Sequence, residues 1–384
     1  MPVSANNHFG RVTRTFDQDS APSAQAEKSS LKVSVIPPSA GLENNALFES
    51  RRQGQASHRP NTHWMDCFAA VYKRGRELNI DFGTDDVILK KDADVLIYMA
   101  QPNSPRDVIA QKLKHPNQKA ILVMWETLLG ARYTANPKNH LAYDAVFTYI
   151  KTLIDGQRYF FLSPRAFYRD RITTGLPFEQ RRVGCLVGTN REFRYRSGLF
   201  AMTKGWKFSL RDWIDYVFCP GELIRFRSQF GKTCANYEGA PFDIFGEGWE
   251  MLPETLSVYG GIPTESTLRY VGKYRYYFAF ENHTSRCGLI SERVWDALWG
   301  DTVPVYLGHT ALDQFIPREC YIDATQFEDP KEMLDSLCRA PKEMWLKYHE
   351  AGREFIYSEA VARFLPEAFA KEFVDRVLAI AEPT

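Results

Sequence analysis

Tyr274–Gly308 runs YRYYFAFENHTSRCGLISERVWDALWGDTVPVYLG. RYYFAFEN, Arg275–Asn282, is an apolar run that ends in two polar residues, the pattern of a buried strand delivering Glu281 and Asn282 to its carboxyl end. Ser291–Trp299 reads as a helix opening with Ser291, Glu292 and Arg293. TVPVYLG, Thr302–Gly308, reads as the next strand. In open α/β sheets ligands bind outside the carboxyl ends of the strands. A helix N-terminus at that edge offers free N–H groups to a phosphate, and Arg293 in its first turn adds charge-assisted hydrogen bonds. Glu292, acceptor-only when ionised, suits ribose hydroxyls. The unit therefore carries the parts for a nucleoside diphosphate, against the plainer reading of Glu292 and Arg293 as surface residues of an ordinary helix.

The same alternation extends in both directions. Upstream lie apolar runs at Leu31–Pro38 (LKVSVIPP), Ala93–Ala100 (ADVLIYMA), Lys119–Glu126 (KAILVMWE), Asp144–Ile150 (DAVFTYI), Arg182–Gly188 (RVGCLVG) and Phe242–Gly246 (FDIFG). Helical patterns fall between them at Thr62–Leu78, Arg106–His115 and Glu192–Thr203. Strands separated by helices at this spacing predict an α/β fold with parallel sheets. The irregular stretch Lys151–Arg182, with Pro164, Gly175 and Pro177, divides two such layers. The expected organisation is a disordered tail over 1–30, a first Rossmann-like domain over 31–175 and a second over 176–355. A final helix over 356–384 has Leu365, Phe369, Phe373, Val377 and Ile380 at helical spacing.

Composition narrows the function. Of 384 residues, 48 are Lys or Arg and 47 are Asp or Glu, so a formal net charge of +1 supplies no general attraction for nucleic acid. No run reaches the roughly 20 apolar residues of a membrane span, and the first twenty residues lack the apolar core of a signal peptide. Seven scattered cysteines without a C-x-x-C pair fit reduced thiols in a cytoplasmic protein. The expected location is cytoplasmic, which includes a peripheral position on the inner face of a membrane. Aromatic residues at 14% suit stacking platforms or sugar-facing clefts.

Three pieces together resemble the family 10 glycosyltransferases, the α-1,3/1,4-fucosyltransferases: FAFEN at Phe278–Asn282, SER at Ser291–Arg293 and VPVYLG at Val303–Gly308. FIPRECYIDATQFEDPKEMLDSL, Phe315–Leu337, resembles the family's continuation. Two departures stand out. The usual Thr-Glu-Lys is Ser291-Glu292-Arg293, an Arg fork in place of a Lys point charge. The loop before it is one residue longer, with Leu289 where many relatives carry an aromatic. The resemblance implies a GT-B-like α/β enzyme of two Rossmann-like domains facing a cleft. It also implies inverting transfer of L-fucose from GDP-fucose to a hydroxyl of a glycan, such as a lipopolysaccharide. Alternatives are a same-fold enzyme for another nucleotide sugar and a non-catalytic glycan- or nucleotide-binding module.

Inverting transfer needs one carboxylate base on the acceptor side and cations on the donor side. Glu126, ending ILVMWE, is the candidate base, with Val123, Met124 and Trp125 as an apolar wall; the plainer reading is a carboxylate capping a turn. The resemblance places a catalytic Glu at a comparable strand end. It also implies a phosphate-binding arginine in GTNREFRYR, Gly188–Arg196, where Arg191, Arg194 and Arg196 compete and Arg194 is preferred on its spacing to Leu199 and Phe200. The expected donor-binding set is Arg194, Lys273, Glu281, Asn282, Glu292 and Arg293. Lys273 either approaches the cleft or caps its strand. FGEGWE, Phe245–Glu250, resembles the family's Tyr-Gly-x-Gly turn. Asp92-Ala93-Asp94 spells the Asp-x-Asp of metal-dependent glycosyltransferases but precedes a buried strand far from the donor motif. It reads as a strand start, and neither a metal nor a cofactor beyond the GDP-sugar donor is expected. The partners are that donor and an oligosaccharide or glycoconjugate acceptor, with no nucleic acid and no transmembrane segment.

Overall fold

The computed structural model describes residues 30–39, 41–49, 65–99, 105–125, 136–162, 173–190, 221–238, 242–263, 267–284 and 289–382. The continuous apolar runs become strands buried on both faces, as parallel sheets covered on two sides require. The first sheet is built from β1 (Leu31–Ile36), β2 (Ile80–Thr84), β3 (Val95–Tyr98), β4 (Lys119–Val123), β5 (Ala145–Thr148) and β6 (Tyr159–Phe161). The second is built from β7 (Arg182–Val187), β8 (Phe242–Phe245), β9 (Tyr274–Phe280), β10 (Val303–Leu307) and β11 (Ile322–Asp323). Their strand orders are β2-β1-β3-β4-β5-β6 and β11-β10-β9-β7-β8, and every pairing is parallel, with Val33 opposite Phe82 and Val95, and Phe278 opposite Val305. This is the α/β, GT-B arrangement. Three strands escaped the sequence pattern. β2 is interrupted by Asp81 and Gly83, β6 is a half-buried three-residue edge and β11 spans two residues.

The helices used below are α1 (Met65–Glu77), α2 (Arg106–Lys114), α3 (Pro137–His140), α4 (Ile224–Ala235), α5 (Thr267–Val271), α6 (Glu292–Trp299), α7 (Pro330–Arg339), α8 (Lys342–Tyr357) and α9 (Pro366–Ala381). Thr62–Trp64, the tail over 1–29 and the helix expected at Glu192–Thr203 lie outside the described residues. One face of the first sheet is covered by α1 and α9, where Phe68 meets Phe369 and Phe373 at ring-centroid distances of 5.9 and 6.0 Å, and Phe147 meets Phe373 at 5.2 Å. The last helix thus follows the elements of the second sheet in the chain and packs on the first. Asp94 ends its own loop by accepting the Lys32 N–H at 2.8 Å, a strand-start role for the Asp-x-Asp triplet. Among the described residues no helix is long and apolar enough to cross a membrane.

Strand order locates a ligand site. In the second sheet the chain steps from β7 to β8 on one side and then returns to place β9 on the other. The connections after β7 and β9 therefore diverge and leave a crevice between the two carboxyl ends, the switch point at which open sheets bind ligands.

Candidate active site at the carboxyl edge of the second sheet

β9 ends at Phe280, and Glu281 follows with its N–H donated to Leu307 O at 2.8 Å, so the strand ladder holds its backbone in place. Its side chain is 3% exposed residue-wide and turns toward α6. Glu281 Oε1 accepts the Ser291 N–H at 2.9 Å, and Oε2 accepts Arg293 Nη1 at 3.3 Å. Ser291 caps α6 by accepting the Arg293 N–H at 3.4 Å, and the same hydroxyl accepts Arg293 Nη1 at 3.0 Å. A serine cap with an acidic residue next to it is a favourable helix start. Here it also pins the arginine head. Burial pushes the Glu281 carboxyl above the usual carboxylate range, and Arg293 and the Ser291 bonds offset part of that. Burial pulls the other way on Arg293, but Glu292 and Glu281 beside it prevail and hold the guanidinium firmly protonated. Arg293 Nε is buried and has no hydrogen-bond partner.

A second arginine, this one buried, converges on the same place. Arg227, 3% exposed, stands in the first turn of α4. A Cβ added to Gly188, just past β7, would lie 3.5 Å from Arg227 Nη1 and 3.8 Å from Arg293 Nη2. Two guanidinium groups therefore flank the strand exit at the switch point. The backbone there is drawn in tightly. Trp249 Nε1 donates to Gly188 O at 2.7 Å, and Gly246, at φ +123°, approaches so closely that a Cβ would sit 2.5 Å from Gly188 O. Only glycine adopts that backbone and that approach without strain. The Gly-x-Gly turn after β8 thus packs against the exit of β7. Asn282 is half-buried; its O accepts the Leu223 N–H at 3.1 Å, which ties the end of β9 to the start of α4. Glu222, two residues from Ile224, caps that helix through the Arg225 N–H at 2.9 Å, and burial raises its carboxyl.

The structure thus brings together Glu281, Asn282, Arg293 and the half-buried Glu292 at one edge. Lys273 is a correction. It precedes β9, with Lys273 O accepting the Arg182 N–H, and its exposed Nζ lies 5.3 Å from the Tyr270 ring centroid. Seven strand residues at about 3.3 Å each separate it from Glu281, and in a parallel sheet the two ends face opposite edges. Glu126 and Arg194, with Arg191 and Arg196, lie outside the described residues. Of the wall proposed for Glu126, Val123 and Met124 are buried, and Trp125 packs on Phe68 at 5.2 Å.

Residues 227–367 match the family model described as glycosyltransferase family 10 (fucosyltransferase), C-terminal. Over that stretch the chain is similar to glycosyltransferase family 10. Over 104 residues it is 29% identical to the bovine 3-galactosyl-N-acetylglucosaminide 4-alpha-L-fucosyltransferase, covering 26% of each protein. Over 98 residues it is 31% identical to human alpha-(1,3)-fucosyltransferase 4, covering 25% of this chain and 17% of that one. The matched stretch therefore spans about a quarter or less of the length of these curated relatives. A solved alpha1,3-fucosyltransferase with GDP-fucose superposes with a TM-score of 0.52 at 14% identity, covering 93% of both chains. A glycosyltransferase from Rickettsia africae superposes with 0.52 at 8% identity over 92% of this chain and all of the other. At such identities these two show a shared fold. The family match begins at Arg227, the residue that sequence reasoning missed. A signal was present: Arg227, Phe230, Gly231 and Cys234 recur at helical spacing and all face the core, which puts a charge on a buried stripe.

Proposed function

We propose that this chain is an inverting fucosyltransferase that moves L-fucose from GDP-fucose to a hydroxyl of a glycan. The observation that carries the donor half is the convergence of two arginines, the buried Arg227 and the half-buried Arg293, on Gly188 at the switch point. Cations so largely withdrawn from solvent meet a diphosphate with less of the screening that weakens surface charges, and the α6 N-terminus adds its N–H groups. The region over 176–355 would hold the donor and that over 31–175 the acceptor.

In the transfer step, Glu126 takes the proton of the acceptor hydroxyl. The hydroxyl oxygen attacks the anomeric carbon from the face opposite GDP. The bond from that carbon to the β-phosphate oxygen breaks, and GDP departs with the electron pair. Arg227 and Arg293 stabilise the charge that develops on it. Glu281 keeps Arg293 aimed through Nη1 while Nε stays available. With both cations supplied by the protein, the reading asks for no metal. The change from Lys to Arg at position 293 favours one rival, a transferase for a different nucleotide sugar, because a fork selects oxygen geometry that a point charge does not.

Isothermal titration with GDP, GDP-fucose, GDP-mannose, UDP and UDP-glucose in EDTA tests the donor. Preference for GDP and GDP-fucose is expected; no guanine preference, or binding only after Mg²⁺ is restored, overturns the donor or its metal-free form. For the base, Glu126→Gln should lose about 10²–10⁴-fold in transfer while binding GDP as tightly as the parent. Retained transfer would remove Glu126 from the mechanism.

A further inference from the structure

His309 follows β10 and takes no part in the charge network described above. Its main-chain N–H donates to Tyr306 Oη at 3.0 Å, and its Nδ1 accepts the Ala311 N–H at 3.1 Å. An accepting Nδ1 places the proton of the neutral ring on Nε2. Burial, helped by the charge of Lys151 and opposed by Asp313, pushes the imidazole down to about 4, so the ring stays neutral around pH 7. The residue is 4% exposed, and Nε2 has no hydrogen-bond partner. Buried donors are nearly always paired, and an orphan asks for an explanation.

Its surroundings supply one. Gly308, its neighbour in the chain, backs directly onto the Glu281 side chain, so closely that a Cβ would collide with Glu281 Cγ. The His309 ring centroid lies 6.1 Å from that of Phe315. Lys151, just past β5 of the first sheet, reaches across to hydrogen-bond Gln314 Oε1 and sets its Nζ 4.7 Å from the Phe315 centroid. Phe161 of β6 stacks near the same ring at 6.4 Å. His309 therefore stands where the carboxyl edge of the second sheet meets the first. The arginines mark the diphosphate at β7 and β9, and β10 is the next strand on the side of β9 away from β7. His309 thus lies between the Glu281 side of that edge and the first-sheet residues Lys151 and Phe161.

We propose that His309 Nε2–H is held for a hydroxyl oxygen of the sugar on the nucleotide, with the Phe315 ring beside it as a surface for the sugar's C–H face. This inference rests on the donor reading above and names the residue that separates nucleotide sugar from bare nucleotide. In the free protein Nε2 is covered, so the contact forms as the sugar displaces what covers it.

Affinities for GDP and GDP-fucose measured side by side in the parent, His309→Gln and His309→Phe test it, with thermal melts of all three. His309→Phe should keep the GDP affinity and lose about tenfold for GDP-fucose, the size of one neutral hydrogen bond. His309→Gln, which retains a donor, should lose less. Equal affinities in all three variants, or equal losses for both ligands, overturn the proposal and make His309 a structural residue. If the parent prefers another nucleotide sugar, the fucosyl reading fails alone, and the same ratio is taken with that sugar and its diphosphate. A parent that binds no nucleotide sugar overturns both.

Discussion

Two arginines, Arg181 buried and Arg293 half-buried, stand at opposite edges of the second sheet, and they are used differently. Arg181, just before β7, donates Nε to Leu176 O at 2.9 Å, Nη1 to Gly272 O at 2.9 Å and to Asp301 O, and Nη2 to Asp301 Oδ2 at 2.7 Å. Asp301 Oδ1 in turn meets His349 Nε2 at 2.9 Å, and the Trp345 ring lies 5.1 Å from the Arg181 guanidinium. Every nitrogen of that guanidinium is engaged with fixed protein acceptors. Arg293, at the carboxyl edge, engages Nη1 with Glu281 and Ser291 and keeps a buried Nε without a partner. The first arrangement joins the segment before β7, the turn before β9, the α6–β10 loop and α8. The second leaves Nε without a partner. A saturated buried guanidinium marks structure, and the unsaturated one at the switch point is the group that the proposed donor site uses.

The contrast can be broken most directly at Arg181. Arg181→Met should cost about 3–5 kcal/mol in urea unfolding, because it leaves the Asp301 carboxylate buried without its charge partner. The double change Arg181→Met with Asp301→Leu should recover most of that, since a well-packed apolar pair replaces an ion pair at little cost. No loss in the single variant would end the claim that this pair is structural. Arg293→Met should act on the ligand instead. Loss of one charged hydrogen-bonding group removes about 1.5–3 kcal/mol of GDP affinity, roughly 10–150-fold. Its unfolding penalty should be smaller than that of Arg181→Met.

The reason is that the Glu281 carboxyl is already raised by burial and can take a proton. A folded value above the unfolded one contributes stability that is fully present below the unfolded pKa and is lost as pH rises through the folded value. Removing Arg293 raises the folded value further, so the penalty of Arg293→Met should shrink as pH falls toward the usual carboxylate range. The smallest effect sharpens the same point. An arriving diphosphate is a like charge beside Glu281 and raises it again, so GDP binding should take up a fraction of a proton. Titrations in two buffers of different ionisation enthalpy read this directly, and Glu281→Gln should abolish it. Uptake that survives the substitution would assign the proton elsewhere.

What could be read early and what could not follows from chain distance. Glu281, Ser291 and Arg293 lie within thirteen residues of one another, so a strand end, a cap and a first helical turn suffice to assemble them. Arg227 reaches the site through α4, more than fifty residues before Arg293, and its charge is recognisable only as an interruption of a buried stripe. Lys273 fails for the complementary reason: adjacency to a site strand says nothing about which edge of the sheet a residue occupies. His309 looks in sequence like an ordinary loop histidine, and its orphaned donor exists only because Ala311 claims the other nitrogen.

Periodicity and apolar runs therefore determined two parallel α/β layers and the strand–helix–strand unit at Tyr274–Gly308, because these depend on neighbours within a few turns; the resemblance of the whole string drew attention to its acidic and basic residues. Tertiary structure alone decided the strand orders that open the switch point and the convergence of Arg227 with Arg293 on Gly188. It also decided the return of α9 to the first sheet and the setting of His309 against Lys151 and Phe315. Each of these joins residues whose separation along the chain carries no local signal, and only the packing of one sheet edge against another brings them within reach.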